Sequence, residues 1–216
     1  AVDMWAFADC ATLTSVVIPT SVQSIGGQVF FGCSALESLT IPFIGAANSG
    51  AQSNSSVFGY IFGWTNFAGS TEVTQTFKSG FSTKYYLPAS LKNVTVTSIQ
   101  TVGYGAFSGC AMLESVTITS PITSIANNAF LSCSDLRQIN NVNTENLASI
   151  GNGAFSGCER LEEFYIPASV TSIGASAFAG CTVLEIYCEI AQSDIPPAWD
   201  EDWNIDECVV HWEHEE

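Results

Sequence analysis

The sequence predicts a β-rich α/β fold wound as a right-handed solenoid, with a parallel sheet along one face and short helical turns on another. Phe and Cys recur as a pair with two residues between them, at Phe7/Cys10, Phe30/Cys33, Phe107/Cys110, Phe130/Cys133, Phe155/Cys158 and Phe178/Cys181. Successive Phe residues are 23, 77, 23, 25 and 23 apart, a fixed period broken by one large insertion and one small one. Leu follows each Cys at the third position: Leu13, Leu36, Leu113, Leu136, Leu161 and Leu184. Self-similarity at such a period is the mark of stacked supersecondary units.

The elements of one coil follow in order. After the Leu, a short alternating run (Val16/Ile18, Leu39/Ile41, Val116/Ile118, Phe164/Ile166) predicts a strand with one buried face. Pro19, Pro42 and Pro167 close it where a missing N–H costs nothing. A second apolar pair comes next (Val22/Ile25, Ile99/Val102, Ile122/Ile125, Val170/Ile173) and predicts another extended piece. Gly26, Gly103, Gly151 and Gly174 then suit a bend at positive φ, and the segment carrying Phe is expected to be one helical turn.

A single coil cannot cover its own apolar face. Stacking lets equivalent Leu, Ile, Phe and Cys side chains form rows along the axis, with backbone bonds passing from coil to coil. The 216 residues, 47% apolar and 12% charged, suit one domain over 1–216, with an insertion at 43–90 and a C-terminal cap at 186–216. No stretch approaches the roughly 18 apolar residues of a membrane span, so no membrane insertion is expected. Residues 1–10 have no basic, apolar leader and read as the second half of a repeat, which predicts that the chain begins partway through a longer protein. Five scattered cations (Lys78, Lys84, Lys92, Arg137, Arg160) against 21 acids give a net charge of −16, which argues against nucleic acid and anionic membranes and biases partners toward basic ligands or divalent cations.

The strands ending at Ile41 and beginning near Leu91 are 55 residues apart in phase, either 32 extra residues or one degenerate coil plus nine. Residues 43–56, rich in Gly, Ala, Ser and Asn, predict a loop, and Thr71–Phe77, Lys78-Ser79-Gly80 and Phe81–Leu87 predict a β-hairpin. Two readings stand for its aromatics. Either the protrusion packs them against itself, or Tyr60, Trp64, Tyr85 and Tyr86 form an exposed patch for a ligand.

Catalytic and metal constellations are not expected. His211 and His214 lie beside the chain end, Glu162 and Glu163 alternate across a strand, and the six phased cysteines read as an inward row of free thiols. Asp200, Asp202, Asn204 and Asp206 imitate a calcium loop, but Ile205 stands where its Gly is required. Trp199, Trp203 and Trp212 are expected to cover the end of the last coil. No cofactor and no enzymatic activity are predicted.

The pattern L-x-x-V-x-I-P-x-x-V-T-S-I-G-x-x-A-F-x-G-C, present at Leu161 to Cys181 with Phe164 as a departure, resembles the BspA-type leucine-rich repeats. The segments from Pro42 to Gly63 and from Ile186 to Trp212 are similar to parts of such proteins from gut-dwelling Gram-positive bacteria. The resemblance implies an extracellular or cell-wall-associated protein whose usual role is adhesion, and it carries over no catalytic residue. In a secreted protein, Cys188 and Cys208, outside the thiol row, are a candidate disulfide. The expected ligand is a protein or glycan on a host or neighbouring cell, met by the outward residues of the strands, among which Glu163 and Tyr165 stand out from small Ser, Thr and Asn. The alternative is a structural spacer without a ligand of its own. Oligomeric state is not specified by the sequence.

Overall fold

The computed structural model describes residues 1–48, 52–141 and 145–214; parts of the expected 43–56 loop and of the 186–216 cap lie outside them. Along the chain come β1 (Ser15–Val17), β2 (Ser38–Ile41), β3 (Ser70–Lys78), β4 (Phe81–Pro88), β5 (Asn93–Val96), β6 (Thr101–Val102) and β7 (Ser115–Ile118). Then follow β8 (Ser124–Ile125), β9 (Gln138–Asn141), β10 (Ser149–Ile150), β11 (Glu163–Ile166), β12 (Ser172–Ile173), β13 (Glu185–Cys188), β14 (Ala198–Trp199) and β15 (Val209–His211). All pair in parallel except the β3–β4 hairpin. The longer strands build sheets in the orders β1-β2-β5-β7-β9 and β11-β13-β15, and the short ones a second side, β14-β12-β10-β8-β6.

In-register pairing places identical phases side by side: Leu39, Val94, Val116 and Ile139 form one row, and Ser124, Ser149 and Ser172 another. The phenylalanines stack almost parallel, Phe107 on Phe130, Phe130 on Phe155 and Phe155 on Phe178, each at 5.3 Å. The cysteine row runs beside them. The thiols of Cys33, Cys133, Cys158 and Cys181 each donate to the carbonyl of the Phe one coil earlier, at 3.1–3.2 Å. Burial pushes the Cys33 thiol up to about 11 and Cys181 to about 12, so these groups stay protonated. Cys10, in the first coil, is exposed.

Two local expectations are corrected. The Phe segment is not helical: the residues two before and two after each Phe, such as Gln28/Gly32, Asn128/Ser132 and Ser176/Gly180, have positive φ. A right-handed helix cannot pass through two left-handed residues, so the segment becomes a chain of i→i+3 turns, for example Cys133 N donating to Phe130 O. Gly26, Gly103, Gly151 and Gly174 do not have positive φ. Three are glycine because the previous coil lies against them. A Cβ would come within 2.4 Å of Met4 N at Gly26, 2.4 Å of Asn127 N at Gly151 and 2.5 Å of Asn152 N at Gly174. At Gly103 nothing lies within 4 Å, because there the coils are parted.

The insertion parts them on two sides only. On the strand side β2 pairs directly with β5, so no rung is added. On the Phe side a 3-10 turn, η1 (Phe58–Ile61), slides between coils: Phe30 N donates to Ile61 O at 2.9 Å and Phe58 N to Ala106 O at 2.9 Å. The ring row detours accordingly, from Phe30 to Phe62 (5.9 Å), Phe58 (5.2 Å) and Phe107 (5.0 Å). The 32 extra residues thus add no rung on the strand side and form a partial coil on the Phe side. The hairpin packs beside it through the fully buried Gln75, whose Oε1 accepts from Gly59 N and whose Nε2 donates to Ala106 O at 3.2 Å.

The C-terminal segment is a further coil. β14 extends the second side, Trp203 meets Phe178 edge-on at 6.0 Å in the ring row, and β15 adds a rung beyond β13. Trp199 packs on Trp203 at 5.2 Å and donates through Nε1 to Val170 O, while Trp212 is partly buried. Asp200, Asn204 and Asp206 accept backbone N–H groups of Asp202, Cys208 and Gly180, which accounts for the calcium-like spacing as turn capping.

Candidate binding face and cleft

The residues singled out in the sequence fall on two separate parts of the molecule. In the insertion, Tyr85 is buried at 1% exposure and its hydroxyl donates to Asn54 O, so it is removed from the expected ligand-binding patch. Burial pushes its phenol to about 12. Strand alternation is the reason: Tyr85 points inward with Val73 and Leu87, and Tyr86 points outward, bonded to Glu72, itself paired with Lys84 at 2.7 Å. Tyr60 is partly buried over Gly27, where a Cβ would meet its ring at 3.1 Å. Trp64 is 51% exposed, and no ring contact joins the four residues among those described.

Cys188 and Cys208 are both free. The register explains it. Glu185 pairs with Val209, which places Cys208 level with Leu184, four positions from Cys188 along the strand direction. That is roughly 13 Å at the rise of a strand, about twice the Cα separation a disulfide spans. Cys208 occupies the Leu row, its thiol 3.5 Å from Cys181 O.

Glu163 and Tyr165 lie on the outward face of β11, and the structure adds residues the sequence reading missed. Glu163 pairs with Glu185, and Tyr165 with Tyr187 and then His211. The three rings stack face to face, Tyr165 on Tyr187 at 5.0 Å and Tyr187 on His211 at 4.6 Å, with His214 tilted against both tyrosines. Tyr187 OH donates to Glu185 Oε2 at 2.9 Å and His211 Nε2 lies 3.1 Å from the same oxygen, which holds the Glu185 carboxyl below the usual carboxylate range. The signal was present in the sequence as Glu163-x-Tyr165 followed 22 residues later by Glu185-x-Tyr187, but residues 186–216 were assigned to a cap. Over β1 to β7 the same face carries Ser15, Val17, Ser38, Thr40, Asn93, Thr95, Ser115 and Thr117.

Between those two halves the sheet is split. β9 and β11 are not paired, although Glu162 N still donates to Arg137 O at 3.1 Å just before them. The second side runs on without a break through β8, β10 and β12, and so does the ring row from Phe130 to Phe155. Only the outward sheet opens, as a V hinged at Arg137–Glu162. The split falls in the coil with the 25-residue spacing, which has two more residues between Leu136 and Ile150 than its neighbours have at the same phase. The opening forms a cleft of about 240 Å³ with Ile122, Ile125 and Leu147 at its base, Ile139 and Phe164 on its walls, and Arg137, Glu162, Glu163 and Tyr165 at its mouth.

The sequence pattern of the BspA type Leucine rich repeat region matches six copies, over residues 1–88 and 55–185. The chain belongs to the BspA-type leucine-rich repeat family. Among solved structures, a leucine-rich repeat protein from Bacteroides ovatus shares 22% identity at a TM-score of 0.44, covering 96% of this chain and 57% of that one. A leucine rich cell surface protein from Faecalibacterium prausnitzii shares 22% at a TM-score of 0.39, covering 90% of this chain and 65% of the other. The chain thus spans less than two thirds of the length of either of these two proteins. No curated protein matches it. Among the described residues, no helix is long and apolar enough to cross a membrane.

Proposed function

We propose that this chain is an extracellular interaction module of a bacterial surface protein, folded as one repeat domain, that adheres to a protein or glycan on a host or neighbouring cell through the outward face of its last three long strands. The supporting observation is the change of that face from small hydroxyls and amides over β1–β7 to the Glu/Tyr/His array on β11, β13 and β15. Aromatic side chains held rigid by stacking lose little entropy on binding, and contact surfaces are enriched in them. Nothing in this reading requires catalysis. The surface location of a relative from Faecalibacterium prausnitzii, as its name states, agrees with it.

The test is cell binding by fluorescent tetramers of the protein, read by flow cytometry on intestinal epithelial cells and on co-resident bacteria. Tyr187→Ala and Glu185→Ala should each weaken binding about tenfold, whereas Ser38→Ala and Thr95→Ala should leave it unchanged. Equal effects from both halves of the face would contradict the assignment. Failure to bind any cell would return the chain to the alternative of a spacer within a longer surface protein.

A further inference from the structure

From the split between β9 and β11 we infer that the cleft is an anchor pocket for one apolar side chain of an extended basic peptide laid across the strand face. The inference rests on the proposed binding face and names the chemistry of its ligand. Four observations define the occupant.

First, the cleft reaches the core. At the row occupied by Leu39, Val94, Val116 and Ile186, all at most 1% exposed, Ile139 is only partly buried because no neighbouring strand covers it. Solvent thus touches apolar surface that rungs paired on both sides hide, and covering it is favourable by the hydrophobic effect. Second, the size selects a side chain. About 240 Å³ falls below the roughly 300–1,000 Å³ of pockets that engulf whole small molecules. The V shape, closed at Arg137–Glu162, also leaves no room for a full extra strand there.

Third, charge selects the flanking residues. All five cations are already engaged: Lys84 with Glu72, Lys92 with Glu114, Arg137 with Glu162, Arg160 with Asp135, and Lys78 over the Phe81 ring. Among the described residues, no cation lies within ion-pair distance of Glu163 at the cleft mouth, only His211 lies within it of Glu185 on the next strand, and the chain as a whole carries −16. An opposing lysine or arginine completes them and speeds the encounter. Fourth, the ring geometry disfavours a glycan. Sugars stack on exposed aromatic faces, and Tyr187, the middle ring, offers none, since Tyr165 and His211 cover both of its faces.

The probe is a fluorescein-labelled heptapeptide of alternating lysine and leucine, followed by fluorescence anisotropy on the intact chain. Its affinity should exceed that of an alternating lysine–glycine peptide by about tenfold. Ile139→Trp, which fills the cleft, should abolish that advantage while leaving lysine–glycine binding unchanged. Glu163→Gln with Glu185→Gln, both at exposed sites, should weaken both peptides about fivefold and flatten the salt dependence whether or not the filled-cleft variant folds. Equal affinity for the two peptides, retention of the leucine advantage in folded Ile139→Trp, or competition by a neutral oligosaccharide that depends on Ile139 would each overturn the inference. Loss of cell binding in Tyr187→Ala alongside a negative peptide result would sink this inference alone, because the binding face would still stand.

Discussion

Replacing Phe130 with Ala removes the middle ring of the stack. Phe130 is fully buried, and Phe107 and Phe155 flank it at 5.3 Å with interplanar angles of 10° and 7°. A Phe→Ala change in a core costs about 3–5 kcal/mol, and the two lost ring pairs bring the expectation to about 4–6 kcal/mol. The same change at Phe7, which is partly buried and stacks on Phe30 alone, should cost only about 1–2 kcal/mol. Urea unfolding followed by circular dichroism gives both values. Phe130→Ala should also lower the m-value, since a solenoid coupled only through neighbours can separate at a weakened interface. Equal costs at the two positions, or a cost below about 1 kcal/mol at Phe130, would refute the idea that the row transmits stability between coils.

Other outcomes follow from the same contacts. Gly151→Ala should destabilise by about 1–3 kcal/mol, because the new Cβ meets Asn127 backbone, while Gly103→Ala, in open space, should be neutral or slightly stabilising in the same urea titration. The native protein should expose Cys10 readily to a thiol reagent and shield Cys110, Cys133 and Cys158, and the unfolded, unreduced chain should titrate eight free thiols. Because burial raises the folded-state thiol pKa, at Cys33 to about 11 and at Cys188 to about 12, their contribution is complete below the unfolded value and is lost as pH rises. Stability should therefore fall from about pH 8.5 upward by roughly 1.4 kcal/mol per pH unit per buried thiol, and Cys133→Ala should remove one such increment.

The parts of the fold that repeat were legible in the sequence, because each phase carries one physical demand. Phe must fill the same ring-sized space in every coil, and Leu and Ile must alternate on a half-buried strand. What escaped were features set by differences between coils. The Glu/Tyr/His array needed the register of β13 and β15 to bring Glu185, Tyr187 and His211 beside Glu163 and Tyr165. The cleft lies in the coil whose spacing is 25 rather than 23, a difference visible in the sequence, but only the pairing of the strands shows that one sheet is split and the other is not. Tyr85 and Tyr86 are adjacent aromatics of equal sequence appeal, and only the packing of the hairpin on η1 decides which is buried. At Gly26, Gly151 and Gly174 a close approach of the previous coil looks, in one dimension, like a turn.

The central claim is that the long strands stack in parallel and in register. Electron–electron resonance between spin labels at Val17→Cys and Asn140→Cys, with Cys10 and Cys208 replaced by Ser, measures it directly, since both labelled sites face outward on β1 and β9. Four strand spacings predict a separation of roughly 19 Å, broadened by the labels to about 15–25 Å. A distribution centred beyond about 35 Å would mean that these strands are not neighbours in one sheet, and the solenoid described here would be wrong.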